Sequence, residues 1–268
     1  PLAWLVSKLT KIPFIVTCHG SDVPGHNPDR FKLAHKLILP AWRFLAKRAV
    51  VLAVPSCSLK NLILTNCSAA NVKVIPNGIY PDQFAGGTKT KSILMCSRIL
   101  AFKGFQYAVK AFKGLPSDWK VNIIGTGPYL DELKILADEL NISVNFLGWL
   151  NKSDPQFHRY FREAAIFIFP SEAENFPSVL LEAMSASAAI ITSTAGGCPE
   201  VVGEAAVLVP PRDPDAIRLN LHKLIEDEQL RLILASKAVK RAEQFQWEKI
   251  AAEYIQTYSS VIDAGEKT

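Results

Sequence analysis

The sequence predicts an α/β fold of doubly wound parallel sheets, and two observations carry that prediction. Short β-rich apolar runs alternate with stretches of helical period, and several of the runs are apolar on both faces. A strand with one solvated face alternates apolar and polar residues, whereas AAIFIFP at 164–170 has no polar position, as a parallel strand covered by helices on both sides requires. A third observation divides the chain: PDQFAGGTKTK at 81–91 combines proline, paired glycines and threonines between two strand series. The domains expected are therefore residues 1–86, residues 87–245, and a closing helix over 246–268.

The first series consists of PFIVTC (13–18), AVVLAV (49–54) and VKVIP (72–76). After the linker come SILMCS (92–97), KVNIIG (120–125), VNFLG (144–148), AAIFIFP (164–170) and AAIITS (188–193), and most intervals have room for a helix. In one of them, FPSVLLEAMSAS, Pro177 stands in the first turn, where a missing N–H costs nothing. The last helix, FQWEKIAAEYIQTYSSVI, is expected to bury a stripe of Phe245, Trp247, Ile250, Ala251, Tyr254, Ile255, Tyr258 and Ile262.

Composition excludes several classes. With 268 residues and 49% hydrophobic content the chain can bury a full core. No apolar run approaches the roughly 18 residues of a spanning helix, and Lys8 and Lys11 interrupt the apolar opening, so a cytoplasmic protein is expected. The five cysteines are scattered and lack a CxxC pair, which argues against a disulfide framework or a zinc site. Net charge is +5, and the excess is local: residues 1–86 hold ten Lys and Arg against three Asp and Glu. Arg30, Lys32, Lys36, Arg43, Lys47 and Arg48 interleave with Phe31, Leu33, Leu37, Trp42, Phe44 and Leu45. That pattern fits either a pair of solvated surface helices or a peripheral contact with an anionic membrane, at the inner membrane face; no nucleic acid is expected as a partner.

Two acids stand out. Glu174 lies in the SEAEN loop at the carboxyl end of a strand, where open α/β sheets bind ligands. Glu182 lies in a helix that Val179, Leu180, Leu181, Ala183 and Met184 make apolar nearly all round, so its carboxylate needs hydrogen-bond donors, from a sugar or ribose diol or from a neighbouring cation. Arg98, just after a strand, and Lys103, at the start of a helical period, provide two cations that together suit a diphosphate.

In this setting the chain resembles the family-4 retaining glycosyltransferases of the GT-B fold, two Rossmann-like domains of which the N-terminal one is only partly represented here. IPFIVTCHGSDV resembles the family's strand and HG-x-D loop, VKVIPNG its interdomain IPNG, and MCSRILAFKG its G-R-L…K-G phosphate segment, with Cys96 and Ser97 where a V-G pair is common. IIGTGP resembles the loop of the nucleotide domain, ENFPSVLLE the E-x7-E element, and the Trp247 helix the one that returns to the N-terminal domain. The resemblance implies transfer of a sugar from a nucleotide-diphosphate sugar, UDP first with GDP and ADP open, to a glycan or lipid-linked acceptor. Neither metal nor cofactor is implied, the nucleotide sugar being a co-substrate. It assigns the diphosphate to Arg98 and Lys103 and the ribose to Glu182. The donor sugar falls to Glu174 with backbone groups around Asn175, Phe176 and Ser178, and His19 contacts the sugar or acceptor. Only three strands precede the linker, and the family's glycine-rich loop is missing, so the chain reads as a fragment. A GT-B enzyme of another reaction, such as a nucleotide-sugar epimerase or a phosphorylase, and a non-catalytic nucleotide-sugar-binding module are the alternatives.

Overall fold

A computed structural model describes residues 2–26 and 28–265, the side chains of residues 28–32, 264 and 265 excepted. Two compact units form: one comprises the residues up to 77 together with those from 247 onward, the other residues 78–246. Residues 78–86, which composition groups with the first domain, pack with the second unit. The Ile79 N–H donates to the Phe245 carbonyl oxygen at 2.8 Å, and Phe84 meets Phe157 and Phe161 edge-on. Composition marks a break at 81–91, but packing changes partners a few residues earlier.

The first unit contains α1 (Leu2–Thr10), β1 (Ile15–Thr17), α2 (Pro28–Ala46), β2 (Val51–Val54), α3 (Cys57–Asn66) and β3 (Val72–Val74). Its strands are parallel, in the order β1-β2-β3, with Ile15 opposite Val51 and Leu52 opposite Val72. Cys18, Leu52, Val54, Leu59 and Ile63 form its core. The basic segment is one helix rather than a pair: α2 runs through Pro40, whose missing N–H leaves the fourth carbonyl before it without an intrahelical donor. Lys36, Arg43, Lys47 and Arg48 are exposed, while the side chains of Arg30, Phe31 and Lys32 lie outside the described ones.

The second unit holds β4 (Thr90–Cys96), α4 (Phe105–Ala111), β5 (Lys120–Ile124), α5 (Leu130–Glu139), β6 (Asn145–Gly148), α6 (Pro155–Glu163), β7 (Ala164–Phe169) and α7 (Ser178–Ser185). It continues with β8 (Ala189–Ser193), α8 (Cys198–Val202), β9 (Ala206–Val209), α9 (Pro214–Glu226) and α10 (Glu228–Ala242). All six strands are parallel, in the order β6-β5-β4-β7-β8-β9. Alternate residues serve opposite faces, as the two-sided apolar runs require. Ile93, Met95, Ile166 and Ile168 pack with Phe105, Leu133 and Leu221, whereas Leu94, Phe167 and Phe169 pack with Phe161, Leu180 and Ala238.

The chain returns to the first unit as α11 (Trp247–Gly265), and its buried stripe differs from the expected one. Ile250, Thr257 and Val261 are buried with Tyr254 half-buried, whereas Trp247, Ala251, Ile255, Tyr258 and Ile262 are exposed. Ile250 packs on Ala53 and Ile75, and Lys73 donates to Thr257 Oγ1 at 2.8 Å. A three-stranded sheet offers only a narrow seam, so one row of the helix is covered and the flanking apolar residues are not.

Lys89, just before β4, places its ammonium where helix α7 ends. It donates to the carbonyl oxygens of Ala164 (2.8 Å) and Ala186 (2.5 Å), and burial lowers its pKa to about 8 from an ordinary 10.5. Between those two values the folded chain holds fewer protons than the unfolded one, so stability rises with pH across that window. Denaturant unfolding of the wild type should gain about 2–3 kcal/mol between pH 7.5 and 10.5 relative to Lys89→Met. Parallel pH dependences for the two proteins would contradict this.

Candidate active site

The cavity lies at the carboxyl ends of β4 and β7, the neighbouring pair at which the strand order reverses. From Cys96 the chain runs through Ser97 and Arg98 to a single 3₁₀ turn, Ala101–Lys103. Lys103 thus ends that turn, and α4 begins two residues later at Phe105. The Ser97 N–H donates to the Ile124 carbonyl at 3.1 Å and that of Ile99 to the Thr126 carbonyl at 2.9 Å, which ties this loop to the one after β5. Gly104 adopts φ 75°, and a Cβ there would stand 2.1 Å from the Pro170 carbonyl oxygen. Glycine therefore permits the loops after β4 and β7 to touch.

The loop after β7 is fixed from both sides. The Glu172 N–H donates to Phe102 at 2.8 Å, the Glu172 carboxylate accepts from Arg212 at 2.6 Å, and Ser193 Oγ donates to the Ser171 carbonyl at 2.5 Å. On the other side the Gly197 N–H donates to the Glu174 carbonyl at 2.9 Å, and a Cβ on Gly197 would stand 1.6 Å from the Asn175 oxygen. These supports escaped the sequence reading, although the paired glycines of GGCPE, placed directly before a helix opening with proline, were a signal for them.

Arg98, Lys103, Glu174, Phe176, Ser178 and Glu182 line one cavity of about 610 Å³, within the range of small-molecule sites. Two predicted residues stand apart. Asn175 is not part of the cavity wall and turns its carbonyl against Gly197, while His19 belongs to the first unit, where its N–H donates to Asp22 Oδ1 at 2.9 Å. The Phe176 ring is buried against Phe245 and serves the core as well as the wall.

Each of the two acids is paired with a lysine. Lys103 and Glu174 form an ion pair whose side chains are 12% and 11% exposed, and the Lys103 ammonium lies 5.3 Å and 5.4 Å from the ring centres of Phe102 and Phe169. Arg98 is exposed and makes no ion pair among the described residues, so it is a cation open to an anionic ligand. The Glu182 side chain is 4% exposed and pairs with Lys152, which is 65% exposed. Burial raises the Glu182 pKa above the usual carboxyl value, and the charge and hydrogen bond of Lys152 act against it, followed by His158. The neighbouring Cys96 thiol is pushed up by burial and by the Glu182 charge, which keeps it protonated and inert. Sequence reasoning named a neighbouring cation as one way to satisfy Glu182 but did not locate it; Lys152 lies thirty residues away, in the polar loop after β6. Trp149 in the same loop lines the cavity and is 68% exposed, and was also missed.

With the geometry in place, the chain belongs to the group 1 glycosyl transferases: that family's model matches residues 80–242, and the model described as Glycosyltransferase Family 4 matches residues 1–83. Sulfoquinovosyl transferase SQD2 of Arabidopsis thaliana is 26% identical over 269 residues, which cover 91% of this chain and 51% of that protein. N-acetylgalactosamine-N,N'-diacetylbacillosaminyl-diphospho-undecaprenol 4-alpha-N-acetylgalactosaminyltransferase of Campylobacter jejuni is 33% identical over 168 residues, covering 61% of this chain and 45% of that one. The chain thus spans about half the length of these curated relatives. A crystal structure of Anabaena HepE in complex with UDP superimposes with a TM-score of 0.84 at 22% identity, over 96% of this chain and 74% of that one. The fold is accordingly of the GT-B type, as the motif order implied.

Proposed function

We propose that the protein is a retaining glycosyltransferase that moves a sugar from a nucleotide-diphosphate sugar, a UDP-sugar first, to a glycan or lipid-linked acceptor without a metal ion. The observation that carries this reading is the convergence of Arg98 and Lys103 from the β4 loop with Glu174 and Glu182 from the β7 side on one cavity. Glycosyl transfer breaks the bond between the anomeric carbon and a diphosphate oxygen, and negative charge grows on the leaving group. Arg98, which makes no ion pair among the described residues, and Lys103 stabilise that charge by position, which is the role a metal ion plays elsewhere. As Lys103 turns to the diphosphate, Glu174 is released to accept hydrogen bonds from the sugar hydroxyls. Glu182 accepts from the ribose diol, and the Ser178 N–H, in the first turn of α7, has no intrahelical partner and suits a sugar oxygen. For His19 we propose the contact with the transferred sugar or acceptor that the family resemblance implies. The UDP in the HepE complex and the diphospho-undecaprenol in the name of the Campylobacter relative support the donor and acceptor classes.

The two acids should fail differently when substituted. Glu182→Gln should weaken nucleoside diphosphate and nucleotide sugar alike by about 1–3 kcal/mol, because a mixed donor and acceptor replaces an acceptor pair. Glu174→Gln should leave nucleoside diphosphate binding undiminished and lower turnover. Calorimetric titration with UDP, GDP and ADP in chelator, together with nucleotide release from nucleotide sugars, measures both. Identical effects on nucleotide affinity would remove the division of roles, and binding without turnover in the wild type would favour a binding module.

A peripheral membrane contact is part of the same reading. Among the described residues no helix is long and apolar enough to cross a membrane. α1 and α2 meet through Trp4 and Phe44 and leave Leu2, Leu5, Leu9, Leu33 and Leu37 exposed; Lys36 on α2 and Lys47 just after it are exposed as well. Apolar side chains with flanking cations suit an anionic interface. Sedimentation with vesicles should rise with anionic lipid, fall with added salt, and weaken on joint substitution Lys36→Glu and Lys47→Glu. Equal sedimentation with neutral and anionic vesicles would leave α2 as a solvated face.

A further inference from the structure

Glu182 stands in the cavity on terms set by its surroundings. Leu180, Leu181, Ala183 and Met184 on α7 are buried with it. Val201 and Val202 of α8 and Ala238 and Ala242 of α10 pack in the same apolar cluster. Arg241 of α10 is committed to the carbonyl oxygens of Glu200 and Val201, and Asp82 in the short turn before β4 is exposed. Lys89 is likewise committed, to the Ala164 and Ala186 carbonyls. Three groups bear on the carboxylate itself: Cys96 at the end of β4, His158 on α6 and Lys152 in the loop after β6. The Cys96 thiol is neutral. The His158 Nε2 meets the Lys152 carbonyl oxygen at 2.7 Å and so anchors the loop that carries Lys152. Only Lys152 makes an ion pair with Glu182 among the described residues, and it does so at Oε1.

We propose that Lys152 is a positioning residue for donor binding: its ammonium is the counter-charge that keeps the buried Glu182 carboxylate ionised and aimed, so that the cavity accepts the ribose diol of a nucleotide at neutral pH. The inference rests on the reading of Glu182 as the ribose acceptor. An ionised carboxylate has about four lone-pair sites on two oxygens, so it can receive one bond from Lys152 and still accept from both ribose hydroxyls. Protonation turns one oxygen into a hydroxyl donor and removes acceptor capacity facing the diol. Burial drives the carboxyl toward that neutral form, and the charge of Lys152 is the largest opposing influence. Lys152 does this from the rim, with most of its length in solvent, so the counter-charge occupies little of the space a nucleotide would fill.

The test compares the unaltered chain with Lys152→Met and Lys152→Arg, titrating whichever of UDP, GDP and ADP binds the unaltered chain most tightly, from pH 6 to 9.5, with melting curves to check folding. Lys152→Met should weaken binding by roughly tenfold at the acid end of this range and progressively less as pH rises and the carboxyl ionises unaided. Lys152→Arg keeps the charge and should restore the original profile. Difference infrared spectra at the acid end of this range should show a protonated carboxyl band in Lys152→Met that Lys152→Met with Glu182→Gln lacks. A loss of affinity equal at every pH and reduced by salt would mean that Lys152 binds phosphate directly, and would overturn the proposal. An ionised Glu182 in Lys152→Met would do the same. Absence of nucleotide binding by the unaltered chain overturns the ribose reading together with this inference, whereas an unchanged pH profile overturns the inference alone.

Discussion

The pairing of β4 with β7 is the constraint on which the candidate site depends. Ile93 lies opposite Ile166 and Leu94 opposite Phe167, so two strands about seventy residues apart in sequence are neighbours in the sheet. From β4 the chain winds outward through β5 and β6; from β7 it winds outward the other way through β8 and β9. The loops at the carboxyl ends of the central pair therefore lead away in opposite directions and leave a cavity between them. Each side brings its own chemistry, cations from the β4 loop and acids from β7 and α7, with Lys152 supplied by the loop after β6, one strand beyond β5.

Burial then makes this charge arrangement consequential. Lys103 and Glu174 are nearly enclosed, and a desolvated ion pair is poor evidence of stabilisation because its attraction must offset the loss of hydration of both groups. Such a pair is better understood as two functional groups held in register on the cavity wall. Glu182 is the more extreme case, since it lies on the apolar helix α7 with one rim lysine as counter-charge. The surrounding backbone is closely packed: Gly104 and Gly197 allow main-chain contacts that any side chain would block, and the Glu172–Arg212 pair ties down the loop that presents Glu174.

Much of this was legible because the strands of the second unit are covered on both faces and so read as unbroken apolar runs. Among the described residues, five of the six strands of the second unit coincide with runs named from the sequence, as do the three strands of the first. β9 does not: it is a four-residue edge strand with Leu208 partly exposed, and AAVLV reads as easily as the end of a helix. Glu182 was recognisable as a charge among apolar neighbours at helical spacing, and Arg98 and Lys103 as cations following a strand. Lys152 was not recognisable, since an exposed lysine in a polar loop is ordinary until the sheet brings β6 to the same end as α7. The α11 stripe was misjudged for a related reason: periodicity shows which residues share a face but not how wide a surface receives them.

The central claim is that Glu182 accepts hydrogen bonds from the ribose hydroxyls of a nucleotide donor. It is tested most directly on the unaltered chain, by comparing the affinity of the preferred nucleoside diphosphate with that of its 2′-deoxy and 2′,3′-dideoxy forms. If the carboxylate meets the diol, removing both hydroxyls leaves a buried acceptor unsatisfied and should weaken binding by about 1–3 kcal/mol, with an intermediate loss for the 2′-deoxy form. Equal affinity for all three nucleotides would contradict the assignment.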